Sequence, residues 1–336
     1  MSDTLRRWPR LTALAWFAAT ALAGCGGGGS STSTTPSSTS TSTGSSTSAT
    51  GTSSSAPITL DQAAWPSGGL PLGDGLRSLT PAQGELMSCS TTFAKSTSHG
   101  GPWIQGAYWY PAQKVAVQGS VSWPGASTTV TSTGGTTTIS SNNLPYGNTG
   151  TFPISPSDPA YQYDTNPNSI LAQTINLTLP GTPTIAASPT CLPMGMIGFA
   201  VNGVAIYNAL DDAGNDAMAH ETQDSCGGHP DRIGQYHYHG PSSCMPNVDT
   251  SNLVGYALDG FGIYGEKDLT TGKTLHDTDL DACHGTTSAV LWNGHLVSMY
   301  HYVLTPEYPY TLGCFKGTPV AADLSNVQKN QIAAFP

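Results

Sequence analysis

Positive charge is the first thing this sequence lacks. Eleven lysines and arginines stand against twenty-one aspartates and glutamates in 336 residues, a formal charge of −10 at pH 7. Three of the eleven, Arg6, Arg7 and Arg10, crowd the first ten positions. Without residues 1–24, eight basic and twenty acidic side chains remain, a formal charge of −12. Such a surface repels phosphate backbones and anionic headgroups, which excludes nucleic acid as a partner and charge-driven lipid docking. Long apolar runs are missing too. The run Leu11–Gly24 (LTALAWFAATALAG) is shorter than the ~20 residues that span a bilayer, and no later run approaches that length. Charged residues of both signs together make up only 10% of the chain, whereas it holds 39 Gly, 25 Pro and 14 Tyr. That balance disfavours solvated helices and points to a loop-rich, mostly β exported protein.

The first 24 residues describe transport. Three arginines before a short apolar run predict a signal peptide over 1–24. The run ends in Leu22-Ala23-Gly24-Cys25, which resembles the lipobox of bacterial lipoproteins and implies lipidation of Cys25. Gly26 stands where an aspartate would favour inner-membrane retention, so the expected address is the outer membrane, periplasmic or surface-facing, with the membrane reached through the lipid anchor. From Cys25 to Ala56 the chain is nearly all Gly, Ser and Thr, too polar to offset its ordering entropy, and is expected to be a disordered linker. Residues 57–196 read as a β-rich N-terminal part of one domain, 197–320 as a tandem repeat, and 321–336 as a tail.

Setting Cys25 aside leaves Cys89, Cys191, Cys226, Cys244, Cys283 and Cys314, an even number suited to three disulfides in an oxidising compartment. Six cysteines allow fifteen pairings. An internal repeat narrows them. GFAVNGVAIYNALDDAG from Gly198 aligns with GYALDGFGIYGEKDLTTG from Gly255. Asn202-Gly203 and Asp259-Gly260 each divide two short apolar runs, the signal for a two-residue hairpin. HETQDSC at His220 then matches HDTDLDAC at His276, and QYHYH at Gln235 matches MYHYV at Met299. Equivalent cysteines should form equivalent bonds, which predicts Cys226–Cys244, Cys283–Cys314 and, from what remains, Cys89–Cys191. The fold class is therefore a single large disulfide-bonded β domain with two related hairpin-containing halves in its C-terminal portion.

The chemistry concentrates in Tyr236-His237-Tyr238-His239. On a strand, alternate residues share a face, so the histidines are offered on one side and the tyrosines on the other. Two imidazoles ~6–7 Å apart along a strand can share one ion. A two-fold relation between the halves would bring His301 to the same point. Three imidazoles suit zinc or copper ahead of calcium, with a fourth position for water or substrate. His229 and His284 are further candidates; Asp224 and Asp281 are candidates to orient the rings, with Tyr236 and Tyr238 behind them.

The segments AHETQDSCGGHPDRIGQYHYHG, LVGYALDGFGIYG, LDACHG and YHYVLTPEYPYTLGCFKG resemble the bacterial YHYH-domain proteins, and the resemblance extends from GPWIQGAYWY to Gly317. That family takes its name from the tetrapeptide, so the resemblance implies a fold and no reaction. Similar proteins often repeat Tyr-His-Tyr-His in the later half; here the fourth position is Val303, so a two-histidine face cannot occur twice.

Other motifs fail. HETQD has Asp224 where a helical zinc protease needs its second histidine. Asp277, Asp279 and Asp281 alternate as in a calcium loop but lack its glycine and distal glutamate. No Gly-x-Ser-x-Gly elbow occurs. Trp103, Trp109 and Trp123 read as core or sheet-face residues, and the loop SPSDPAYQYDTNPNSI either caps the histidine face or crosses the surface. Three functions fit: a transition-metal site, either enzymatic or metal-holding, on an envelope-anchored lipoprotein; a non-catalytic module binding envelope polymer or protein; and a disulfide-stapled structural protein whose histidines are hydrogen-bonded core.

Overall fold

The computed structural model describes residues 65–94 and 99–320. The signal peptide, Cys25, the linker and the tail 321–336 lie outside the described residues. The described residues fall within one compact unit. Its centre is an eight-stranded sheet made of β1 (Met196–Ala200), β2 (Ala205–Tyr207), β3 (Gly228–Pro230), β4 (Tyr236–Tyr238), β5 (Leu253–Ala257), β6 (Gly262–Tyr264), β7 (Gly285–Trp292) and β8 (His295–Val303). Their order across the sheet is β3-β4-β2-β1-β5-β6-β8-β7.

Both halves are assembled by the same steps. The hairpin β1–β2 is matched by β5–β6. Parallel to the hairpin's second strand lies β4 in the first half and β8 in the second. Antiparallel to these, on the outside, lie β3 and β7. The halves join where β1 meets β5, antiparallel, with Phe199 opposite Tyr256, Gly198 opposite Ala257 and Ala200 opposite Gly255. Phe199 and Tyr256 occupy one position of the repeat, so a pseudo-two-fold axis stands normal to the sheet between them. Equivalent side chains thus keep the same face and lie on opposite wings.

The turns differ from the two-residue expectation. Three residues, Val201–Gly203, are closed by a bond from the Ala200 N–H to the Val204 carbonyl, and Leu258–Gly260 by one from Ala257 to Phe261. In such loops the third residue takes the left-handed conformation. Gly203 and Gly260 do so, both at φ +89. A Cβ on Gly260 would also come within 2.7 Å of the Pro180 carbonyl.

The tyrosine face is packed. Tyr236, Tyr238 and Tyr302 are buried with the main apolar cluster. A Cβ on Gly228 would lie 2.4 Å from the Tyr236 hydroxyl and one on Gly285 2.3 Å from that of Tyr300, so both edge strands need glycine there. A three-stranded antiparallel sheet (Thr128–Thr133, Thr136–Ser141, Ile175–Pro180) adds Ile139, Leu177 and Leu179 to the same core. Trp103 and Trp109 are buried in that cluster and Trp123 packs against it, which makes all three structural. The Trp103 indole N–H donates to the Ala219 carbonyl at 2.8 Å.

Three disulfides form with the pairing the repeat suggested: Cys89–Cys191, Cys226–Cys244 and Cys283–Cys314. They span 102, 18 and 31 residues respectively. Closing a longer loop removes more entropy from the unfolded chain. Replacing Cys89 and Cys191 together by serine is expected to cost about 4–5 kcal/mol of unfolding free energy, against roughly 3 kcal/mol for the Cys226/Cys244 pair. Urea unfolding of the two double variants checks the order; equal losses would contradict it.

Candidate metal centre

Strand alternation and register assemble the site. In β4, His237 sits between Tyr236 and Tyr238, and His239 follows on the same side as His237. The β3–β4 register sets His229 opposite His237, so a third imidazole joins the same face. All three are buried, at 3–5% exposure. One ligand nitrogen from each ring lies within 4.8 Å of the others. The Nε2 atoms of His237 and His239 are 3.1 Å apart, and those of His229 and His239 3.4 Å.

A fourth donor completes the set. Glu221 ends the short helix Ala217–His220, and its Oε2 lies 3.0 Å from His239 Nε2 and 3.2 Å from His229 Nε2. Four nitrogen or oxygen donors at ~2.0–2.1 Å from a tetrahedral zinc are about 3.3 Å from one another. The four separations observed, His237 to His239, His229 to His239 and Glu221 to His229 and to His239, lie near that spacing.

Tautomers follow from the partners. His237 Nδ1 faces the Gln235 carbonyl at 2.9 Å and His239 Nδ1 the Asn208 carbonyl at 2.6 Å. A carbonyl oxygen can only accept, so both Nδ1 atoms carry protons and, in the neutral rings, both Nε2 lone pairs face inward. Two lone pairs 3.1 Å apart repel unless a proton or a cation lies between them. Burial, reinforced by His229 and His239, pushes His237 well below the ordinary imidazole range, which favours its neutral form. Burial opposes the charge on His229, but Glu221 outweighs it and raises that ring. Burial likewise works against the Glu221 carboxylate, yet His229 and His239 hold it well below the usual range. His229 Nδ1 is nonetheless buried without a hydrogen bond among the described residues. Donors this close could hold a metal ion.

The surroundings hold the rings in place. Tyr207 stacks on His237 with centroids 3.8 Å apart and planes 19° from parallel. Its hydroxyl donates to Asp231 at 2.7 Å and to Gln235 at 2.8 Å. Lys114 donates to the Met218 carbonyl and to the Gln223 side-chain Oε1, bridging residues on both sides of Glu221. Burial pulls its ammonium down to about 7, opposed most by the charge of Glu221. The proline-bearing loop does flank the site: Asp164 accepts from the Thr222 N–H at 3.3 Å, and the Asn166 side chain donates to the Pro230 carbonyl at 3.1 Å.

Several expected site residues belong elsewhere. His301 is on the far wing: β4 and β8 are five strand steps apart, on the order of 24 Å along the sheet, because the two-fold axis separates the halves instead of folding them together. There His301 Nδ1 turns to the Met299 carbonyl at 3.2 Å. His284 is bound by Asp277 at 2.9 Å and Thr305 at 3.0 Å. Asp224 orients no imidazole; it accepts from the Tyr236 hydroxyl and from the N–H groups of Gly150, Cys226 and Gly228. Asp281 does the same for Tyr300, Cys283 and Gly285, and pairs with Lys316. Tyr236 and Tyr238 point away from the histidines, Tyr238 accepting from the Asn202 amide at 3.2 Å. The aspartates of HDTDLDAC make no calcium cage: Asp277 turns to His284, Asp279 to Lys273 and Asp281 to Tyr300. Glu221 escaped sequence reasoning because HETQD was tested only as a helical His-x-x-x-His pattern.

Since the tyrosine and histidine faces are separate, Tyr236→Phe should lower stability by about 1–3 kcal/mol, through a buried carboxylate left short of a donor. The imidazole NMR signals of His229, His237 and His239 should stay in place. Movement of those signals would show that Tyr236 and Asp224 support the cluster after all.

No curated protein and no solved structure matches the chain. Residues 176–277, which hold the β1–β2 hairpin, the three histidines and Glu221, match the family described as YHYH protein. Through that segment, with Tyr236-His237-Tyr238-His239 on its strand, the chain is similar to the YHYH protein family.

Proposed function

We propose that this YHYH domain holds one divalent transition metal, zinc first and copper second, on an exported, lipid-anchored envelope protein. One observation carries the reading: three buried imidazoles offer nitrogens within 4.8 Å of one another, with the Glu221 carboxylate 3.2 Å and 3.0 Å from two of them. Two imidazole–carbonyl bonds fix the inward lone pairs, as ligand histidines are commonly fixed. Zinc suits a mixed nitrogen and oxygen set in a tetrahedral arrangement, and copper accepts the same imidazoles. The closed, buried donor set favours holding an ion over presenting it openly to a large substrate. The alternatives of a polymer- or protein-binding module and of a ligand-free structural protein must place a proton between facing nitrogens, which satisfies one pair of atoms and not the whole cluster.

Export is supported independently. Three disulfides fit an oxidising compartment. Among the described residues no helix is long and apolar enough to cross a membrane. The anchor then falls to Cys25, and the adjoining Gly/Ser/Thr stretch would serve as its tether.

Protein purified without a histidine tag should contain close to one equivalent of zinc or copper by elemental analysis. His237→Ala and His239→Ala should abolish loading, and His301→Ala should leave it intact. Stripping the ion with a chelator should lower unfolding free energy by about 4 kcal/mol if the site is normally filled at a thousandfold its Kd. Background metal in the wild-type protein would overturn the assignment. For the anchor, Cys25→Ala should move the protein from the membrane fraction to the soluble one; unchanged fractionation would refute lipidation at that residue.

A further inference from the structure

We propose that Glu221 is the exchangeable member of the donor set, and that the site accepts a small anion or hydroxide in place of its carboxylate. The proposal rests on the metal reading above and assigns that site its ligand class.

The four donors are held unequally. His237 and His239 are each locked by an Nδ1–H bond to a main-chain carbonyl, and Tyr207 stacks on the first ring. Glu221 has no comparable main-chain tether: its Oε2 meets only the Nε2 atoms of His229 and His239. Its side chain is also the most open of the pairs it makes, 20% exposed against 6% for His229 and 3% for His239. Its backbone is not loose. Lys114 grips Met218 and Gln223, and the Glu221 N–H bonds to the Ala217 carbonyl. Only the side-chain torsions are left to move.

The second half supplies an internal comparison. The register pairs Thr286 with His301 where the first half pairs His229 with His237, and Val303 stands where His239 does. With two of three imidazoles missing, the acid at the position of Glu221 is Asp277. It is 2% exposed and bonded to His284 at 2.9 Å. One scaffold therefore pins its acid with a dedicated histidine, and the other leaves its acid facing only the cluster.

Three imidazoles are enough to retain a zinc-like ion with a fourth position for an incoming ligand. Exchange would break the carboxylate–metal bond and form an anion–metal bond, with no electrons transferred. Water entering there could ionise near neutral pH, which is the state that metal-assisted hydrolysis needs.

Cobalt(II) in place of the native ion gives a visible spectrum that reports the fourth ligand, and azide is the probe. Wild-type protein should bind cobalt, and azide should shift its spectrum. Glu221→Ala should keep close to one equivalent of cobalt and bind azide at least about tenfold more tightly, because no carboxylate competes. Should the alanine variant unfold, Glu221→Gln preserves the volume and carries the same expectation. Loss of cobalt from both variants, as complete as in His239→Ala, would make Glu221 an obligatory ligand and overturn the proposal. Azide without effect on any of the proteins would overturn it too, as would equal azide affinity with and without the carboxylate. If the wild-type protein takes up neither cobalt nor zinc, the metal assignment itself fails and this inference goes with it.

Discussion

Two imidazoles that give their Nδ1 protons to main-chain carbonyls leave Nε2 lone pairs 3.1 Å apart in a buried place. Every other feature of the site answers that constraint. In water the lone pairs would be hydrated; here burial removes that option and a positive centre must replace it. A proton shared between rings satisfies one pair of atoms. A metal ion would satisfy the three imidazoles together, with the Glu221 carboxylate beside His229 and His239. Net negative charge over the rest of the chain favours the same occupant, since it raises the local concentration of cations.

Duplication explains where the site is and why there is one. The β1–β5 junction places the axis between Phe199 and Tyr256, so each half carries its Tyr-His-Tyr strand to its own wing. The tyrosine sides remain alike: Tyr236 bonds Asp224 as Tyr300 bonds Asp281, each over a glycine that a methyl group would block. Those contacts build the fold and tolerate little change. The histidine sides differ: Thr286 and Val303 stand in the second wing where His229 and His239 stand in the first.

Much of this was legible before any coordinates. Strand content, the paired hairpins and the disulfide pairing follow from alternation, from Asn-Gly and Asp-Gly, and from the spacing of Cys226, Cys244, Cys283 and Cys314. The shared face of His237 and His239 follows from period two. What could not be read was the pairing partner of each strand. Convergence of His301 assumed that the axis lies between the histidine strands, whereas it lies between the hairpins. His229 enters through the β3–β4 register and Glu221 through the end of a four-residue helix, and neither is a matter of spacing. Asp224 and Asp281 looked like imidazole partners because they repeat beside cysteines. They repeat because the tyrosine hydroxyls and the tight turns at Gly228 and Gly285 need acceptors.

The backbone shows how the second wing settled its own electrostatics. Gly227 adopts φ +70, and the corresponding residue of the second half, His284, adopts φ +65. A left-handed conformation costs a residue with a Cβ roughly 1–2 kcal/mol, so glycine is the cheaper choice at that turn. The imidazole is kept there because it reaches Asp277 on one side and Thr305 on the other, in a place where a lone buried carboxylate would cost more. The His284 imidazole thus supplies the second wing's acid with a partner from within the chain. The first wing has glycine at that position and no such internal partner, which leaves Glu221 to the histidine cluster and makes its charge available to a bound ion.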